Sequence, residues 1–386
     1  MSDTPDGISA YPAGQQVHGL DGSTAAADWP ALRAAEVIEL LDRYPCPGAV
    51  QGLLWHSPRP LSAAALVAVG DERLFVKRHH RNVRTPASLS EEHRFIDHLR
   101  AVGAAVPEVL RDAEELSTPT RGDWVYEVHA CAPGVDLYRD LVSWAPVPDL
   151  NHAWQAGRAL AGFHAAAAGH DAAQRSTHVL VTRDELVCAT DPVATLRAQL
   201  PQRPGLADYL RGRDWEAELA QHVLPRQRQI QARVCAQKRL WTHNDWHVSN
   251  LAWSDRSTQA TVSAVFDFGL ASPTCALFDL ATAIERNAIA WLELDRHTDI
   301  AHLDTALALL GGYHEIAPLS GEHRALVAEL LPVVHFDFAL SEVEYFHAVT
   351  GSARNADIAW NTFLLGHARW FDSADARALQ AAIADT

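Results

Sequence analysis

The stretch His243-Asn-Asp-Trp-His-Val-Ser-Asn250 concentrates side chains that could do chemistry, and Phe266-Asp-Phe-Gly269 follows it closely. Asp245 and Asn250 stand five residues apart, and Asp267 lies twenty-two beyond Asp245. Phosphoryl transfer from a nucleotide needs little covalent chemistry from a protein. It needs a carboxylate that orients an attacking hydroxyl and accepts its proton, plus oxygen ligands that hold Mg²⁺ on the phosphates. Asp245 suits the first task. Asn250 and Asp267 offer one neutral and one anionic oxygen for the second. Either motif alone is weak, but both in order at short separation are specific.

A lysine for the phosphates, and a carboxylate to hold it, belong upstream. Phe75-Val-Lys77 closes a β-like stretch, where such a lysine sits. Ser88-Leu-Ser-Glu91 has the form of a capping box, which would commit Glu91 to the helix end. Glu92 shares a helical face with Phe95, Ile96 and Leu99, so it is the expected partner of Lys77. The alternation His243-x-Asp245-x-His247 would put three side chains on one side of a strand. Alone it would suit a metal-dependent hydrolase, but that chemistry leaves Lys77, Asn250 and Asp267 without a task. His243 and His247 are expected instead to bond the loop backbone and fix Asp245. Asp279 is expected to anchor the loop, and His164 to be a satisfied core histidine.

These residues need a small sheet followed by a larger helical region. After a loose tail at 1–28, Asp28 reads as an N-cap and Pro30 as an early residue of a helix running to about Arg43. The segment Tyr44-Pro-Cys-Pro-Gly48 breaks that helix. Residues 49–55, 63–69 and 73–77 read as an antiparallel meander, and 124–129 as a further strand. A helix follows the capping-box serine and stops at Gly103. From about Asp149 the pattern becomes Ala- and Leu-rich and helical, first over 151–168. An extended patch at 240–253 and 261–268 interrupts it, and 276–284 is helical again.

Composition sets outer bounds. The chain has 386 residues, 48% hydrophobic and 21% charged, which supports a sizeable core and excludes a disordered chain, a collagen or a coiled coil. A net charge of −16 repels a phosphate backbone, so nucleic acid is not an expected partner. The five cysteines are scattered, with no C-x-x-C, which argues against a disulfide framework or a zinc knuckle. No signal peptide or membrane-spanning run is evident, so a cytoplasmic protein without a membrane partner is expected.

The order Lys77, Glu92, His243-x-Asp245-x-x-x-x-Asn250, Asp267 resembles the aminoglycoside phosphotransferase and choline kinase family of small-molecule kinases. The likeness extends from about Trp29 to the C-terminal helices. It implies an α+β, bilobal, protein-kinase-like fold, with an antiparallel-sheet N-lobe at 29–132 and a helical C-lobe at 133–386. It implies ATP and Mg²⁺ as cofactors, Asp245 as catalytic base, and Asn250 and Asp267 as metal ligands. Lys77 would contact the phosphates and pair with Glu92, while His129, Ala130 and Ala132 would lie at the adenine. The loop at 56–62 departs from a phosphate cradle, with two prolines and no glycine, and Asn244 stands where the family often has Gly. No arginine precedes Asp245 and no A-P-E segment follows Gly269, which sets the chain apart from protein kinases.

The resemblance implies a hydroxylated small-molecule acceptor bearing an amine, of the aminoglycoside or amino-sugar kind. The alternatives are an amino alcohol or hydroxy-amino acid (choline, homoserine or hydroxylysine type), or nucleotide binding without turnover. Glu285, Asp337, Glu342 and Glu344 are acidic residues that could face such an acceptor. A monomer or homodimer is expected.

Overall fold

The computed structural model describes residues 16–45, 48–297 and 299–386. Cys46 and Pro47, part of the expected helix break, lie outside them. The chain divides into two compact units. The first runs to Ala132 apart from Val102–Ala104, and the second comprises that turn and Pro133–Thr386.

In the first unit, a short hairpin, β1 (Gln16–His18) and β2 (Thr24–Ala26), occupies residues expected to be loose. Helix α1 (Ala34–Leu41) starts later than Asp28 and Pro30 suggest. The chain before it is pinned extended: Trp29 stacks on His80 at 4.9 Å, Arg78 donates to the Pro30 carbonyl, and Leu32 is buried. Such contacts outweigh a local helix-start signal. Next come β3 (Val50–His56), β4 (Ala63–Val69), β5 (Glu72–His80), α2 (Pro86–Ala101), β6 (Thr120–Arg121) and β7 (Trp124–Ala130). The strands form one antiparallel sheet in the order β3-β4-β5-β7-β6.

Side chains alternate across a strand, so the sheet has two distinct faces. Ala65, Val67, Val69, Leu74, Val76, Tyr126 and Val128 point one way and bury Val37, Leu40 and Leu41 of α1. Lys77, His79, Glu127 and His129 occupy the intervening positions, on the face where α2 contributes His93. The α2 cap also differs from expectation. Thr85 Oγ1 accepts from Ser88 N at 3.2 Å and Ser88 Oγ accepts from Thr85 N at 3.0 Å, a reciprocal box one turn earlier than Ser88/Glu91. Glu91 therefore has no capping role of the kind expected. Burial distinguishes the neighbours instead, with Glu92 buried and Glu91 only partly so.

The second unit starts with α3 (Leu150–Ala167), N-capped by Asp149, which accepts from His152 N at 3.0 Å. Helices α4 (Glu185–Cys188), α5 (Pro192–Gln199), α6 (Pro204–Leu210), α7 (Trp215–His222) and α8 (Leu224–Cys235) follow. Strand β8 (Arg239–Thr242) pairs with β11 (Ser272–Cys275), and between them β9 (Leu251–Trp253) pairs with β10 (Val262–Val265). The chain then returns to helices: α9 (Ala276–Ala288), α10 (Leu303–Ile316), α11 (Gly321–Leu330), α12 (Phe336–Glu344), α13 (Ala353–Ile358), α14 (Leu365–Trp370) and α15 (Ala374–Asp385). Among the described residues, no helix is long and apolar enough to cross a membrane, and the four cysteines are free.

Helices α3 and α10 meet backbone to backbone. A Cβ on Gly157 would sit 2.0 Å from the Leu309 carbonyl oxygen, and one on Gly312 2.0 Å from that of Trp154. Neither neighbour is a flexible side-chain tip, so the helices would have to separate. Gly157→Ala should therefore destabilise the fold by about 1–3 kcal/mol, the usual cost of overpacking, measured by denaturant unfolding. Wild-type stability in that variant would refute the close contact.

Candidate active site

Residues 243–247 form an irregular loop rather than a strand, so His243, Asp245 and His247 do not share one strand face. The loop turns at Asn244, whose φ of 59° lies in the left-handed region that asparagine tolerates. Its amide also secures the turn. Asn244 Oδ1 accepts from Thr242 Oγ1 at 3.0 Å and Thr274 Oγ1 at 3.1 Å, and Nδ2 donates to Ser272 Oγ at 3.1 Å. Asparagine at a position where glycine would serve thus adds hydrogen bonds to the β8–β11 pair that a glycine lacks.

Helix α9 holds the loop. Asp279, fully buried, accepts from His243 N at 3.0 Å, Asn244 N at 2.8 Å and His164 Nε2 at 3.0 Å. His164 Nδ1 in turn lies 2.9 Å from Tyr313 Oη of α10. The expected anchor and core histidine are therefore one relay. Further along α9, Asn287 donates to the Trp246 carbonyl at 2.6 Å and accepts from Val248 N at 3.1 Å. Arg286 Nη1 lies 2.6 Å from Asp245 Oδ1, and its guanidinium sits 5.7 Å from the Trp144 ring centre. Arg286 and Asn287 were not anticipated from the sequence. Their offsets of seven and eight from Asp279, two helical turns, were the signal that could have found them.

The histidines fix geometry as expected. His243 Nδ1 accepts from Asp245 N at 3.2 Å, so Nε2 carries the proton and donates to the Phe266 carbonyl at 3.1 Å. One imidazole thus spaces Asp245 from the residue before Asp267. His247 Nδ1 accepts from Ser249 N at 3.2 Å, and its Nε2 lies 3.2 Å from the Ala145 carbonyl.

Asn250 Nδ2 donates to the Asp245 carbonyl at 2.8 Å and to Asp245 Oδ2 at 3.1 Å. That commits the nitrogen end of the amide and leaves its oxygen as the end able to ligate a cation. Phe266 N donates to the Asn250 carbonyl at 3.0 Å, extending the Val265–Leu251 register by one residue. Asn250 and Asp267 therefore flank the same end of the β9–β10 ladder. Asp267 has a φ of 63°, a strained angle for a residue with a side chain. An amide oxygen and a carboxylate are hard donors, a set that fits Mg²⁺.

In the first unit, Lys77 lies on β5 opposite Glu127 of β7. Glu92 is buried on α2, and His129 Nε2 lies 2.9 Å from Glu127 Oε2 on the same face of β7. Ala130 ends β7 with its N–H donated to the Glu108 carbonyl at 2.9 Å, and Ala132 is the last residue of the unit.

The acidic residues expected to face an acceptor are buried in the helical unit: Glu285, Asp337, Glu342 and Glu344 are each under 7% exposed. Helices α9 and α12 are core helices, and these carboxylates meet internal groups. Glu344 Oε2 accepts from Arg203 Nε at 2.7 Å, Asp337 accepts from Leu186 N at 3.2 Å, and Glu285 lies 3.6 Å from His367. Burial pushes the Glu285 and Asp337 carboxyls above their ordinary values, which weakens them as anionic sites for an amine.

Asp279→Asn should test the anchor. It would turn an NH₂ or a neutral oxygen toward donors that now meet a carboxylate. Loss of a buried charged acceptor should cost about 1–3 kcal/mol or more, and turnover should fall with it. Unchanged melting temperature and unchanged turnover would remove Asp279 from this role.

A sequence model described as the phosphotransferase enzyme family (APH) matches residues 61–319. No curated protein matches the sequence. Solved structures with similar folds include an aminoglycoside phosphotransferase from Alicyclobacillus acidocaldarius, at 15% identity and TM-score 0.51 over 92% of this chain and 96% of that one. An amicoumacin kinase determined with AMP-PNP and Ca²⁺ aligns at 12% identity and TM-score 0.55, covering 92% and 94%. A microcompartment-associated aminopropanol kinase aligns at 15% identity and TM-score 0.52, covering 90% and 100%. The five-stranded antiparallel sheet followed by a helical unit is thus the α+β, protein-kinase-like fold. With 259 of its 386 residues matched by the family and the motif order intact, the chain belongs to the phosphotransferase enzyme family.

Proposed function

We propose that this phosphotransferase moves the γ-phosphoryl group of ATP to the hydroxyl of a small, amine-bearing molecule. The observation that carries this reading is Asp245, set in a loop that α9, His243 and Asn250 hold from three sides. Asp245 orients the acceptor hydroxyl and accepts its proton as the O–P bond forms. Asn250 and Asp267 would hold Mg²⁺, which supplies charge neutralisation on the phosphate oxygens when bound. Lys77, held by Glu92, binds the phosphates. Adenine recognition falls to the backbone from Ala130 to Ala132, where Ala130 offers its carbonyl because its N–H is already donated. His129 supports that segment from behind through Glu127. An amine on the acceptor is supported by the family resemblance and by the names of structural neighbours such as the aminopropanol kinase.

One observation favours a hydroxy-amino acid within that class. Arg286 Nη1 lies 2.6 Å from Asp245 Oδ1, which sets a guanidinium beside the carboxylate that meets the acceptor. Such a charge suits an acceptor carboxylate.

ADP release measured over a panel containing an amino sugar, an amino alcohol, a hydroxy-amino acid and a neutral sugar tests the assignment. At least one amine-bearing alcohol should stimulate ADP formation, in a Mg²⁺-dependent manner. Asp245→Ala should lower that rate by about 10²–10⁴-fold, the range for losing a positioned general base. Asp267→Asn, which tolerates the left-handed backbone, should abolish metal-dependent turnover without lowering the melting temperature. Stimulation only by the neutral sugar would overturn the amine, and full activity in Asp245→Ala would overturn the mechanism. Arg286→Met separates the acceptor classes. For a hydroxy-amino acid KM should rise while an amino sugar is little affected, and equal effects on both would reject the carboxylate reading.

A further inference from the structure

The sheet face that carries Lys77 buries a second constellation, from which the phosphoryl-transfer reading takes only the support that His129 and Glu127 give the segment after β7. Glu127 is 1% exposed. Its Oε1 lies 2.8 Å from His79 Nε2, and its Oε2 lies 2.9 Å from both His93 Nε2 and His129 Nε2. The three rings come from β5, α2 and β7, so the cluster ties a helix to two strands. Burial alone would raise the Glu127 carboxyl. The charge and hydrogen bond of His129, with bonds from His79 and His93, outweigh burial and hold it well below the usual carboxylate range.

We propose that His93 Nε2, His129 Nε2 and Glu127 Oε2 form a binding site for a divalent transition-metal ion of the Zn²⁺ type. Three features support it. The donor atoms of these residues lie within 4.8 Å of one another. Ligands about 2.0–2.1 Å from a zinc ion in tetrahedral array stand about 3.3 Å apart, so a small opening of the 2.9 Å contacts admits the ion. The outer contacts also match those of a metal site, where the non-ligating atoms are held by neighbours. His93 Nδ1 lies 2.9 Å from Ser117 Oγ, which leaves Nε2 as the ligating nitrogen, and His79 holds the second carboxylate oxygen. Finally, imidazole and carboxylate together suit zinc better than the hard, oxygen-only donors at Asn250 and Asp267 suit it.

His79 is assigned to the carboxylate and not to the ion. Its Nε2 meets Glu127 Oε1, whereas His93 and His129 both meet Oε2. Ligation needs Nε2 of His93 and of His129 free of its proton, so each ring keeps a proton on Nδ1 and any second proton leaves to solvent as the ion enters. Ser117 Oγ can accept the Nδ1 proton of His93. The consequence concerns α2. His93 follows Glu92 directly, so an ion that clamps His93 to β7 fixes the helix turn that carries the expected partner of Lys77.

The test uses the untagged 386-residue chain. Metal content is measured after purification without chelator. Chelator-treated protein is then titrated with ZnCl₂ by calorimetry, with thermal unfolding followed in parallel. The site predicts about one tight Zn²⁺ per chain and a melting temperature that rises with zinc, since a ligand that binds only the folded state stabilises it. His129→Gln keeps a donor for Glu127 but ligates poorly. It should fold, lose that zinc and lose the thermal shift, as should His93→Gln. Absence of tight zinc in the wild type, or zinc uptake unchanged in both folded variants, overturns the proposal. Either outcome leaves the phosphoryl-transfer reading standing, because that reading is tested by the Asp245 variant assayed with Mg²⁺.

Discussion

A fully buried carboxylate is costly unless neighbouring donors compensate its charge. Asp279 resolves that cost by accepting from two successive backbone N–H groups of the 243–247 loop and from His164. The loop turns at Asn244, which is left-handed and directly precedes Asp245. Much of the second unit can be read as support for this contact. The glycine-to-backbone approach of α3 and α10 brings His164 and Tyr313 into line, and α9 is buried over nearly its whole length. Arg286 and Asn287, two turns beyond Asp279, then hold Asp245, Trp246 and Val248 from the same helix. One helix therefore holds three residues of the segment that carries Asp245.

The first unit solves a different problem with similar means. A five-stranded sheet must cover both faces, and period-two alternation gives one face to aliphatic side chains and the other to Lys77, His79, Glu127 and His129. Burying so much polar surface is tolerable because the partners converge on one carboxylate, which accepts from three imidazoles. The same economy appears at Glu36, which accepts from Arg78 at 2.6 Å and from Tyr126 at 2.7 Å on the opposite face.

What the sequence made legible was what depends on short-range pattern. Strands β3, β4, β5 and β7 and helices α2, α3 and α9 were readable from periodicity and caps, to within a few residues at their ends. Strand β6, at two residues, is too short to carry a period. The late start of α1 came from tertiary contacts of Trp29 and Leu32, which no local rule contains. The α2 cap went to Thr85 and Ser88 because two boxes overlapped, and the one followed by Pro86 at the first helical position prevailed. Asp245, Asn250 and Asp267 were visible because motif order is a one-dimensional property. Arg286 was hidden because α9 was expected to end near residue 284, one residue pair short of the position that reaches Asp245. The acidic residues of α9 and α12 were misjudged for a related reason. Charge in a helix normally marks a wet face, but here internal partners carry it into the core.

The central claim is that Asp245 presents a hydroxyl oxygen, and not an amine nitrogen, to the phosphoryl group. The direct measurement is ³¹P NMR of the product formed from ATP and the best acceptor, prepared with its hydroxyl labelled with ¹⁸O. The account predicts a phosphate ester whose ³¹P resonance carries the isotope shift of a bridging ¹⁸O. A phosphoramidate, or an ester formed at an unlabelled oxygen, would contradict it.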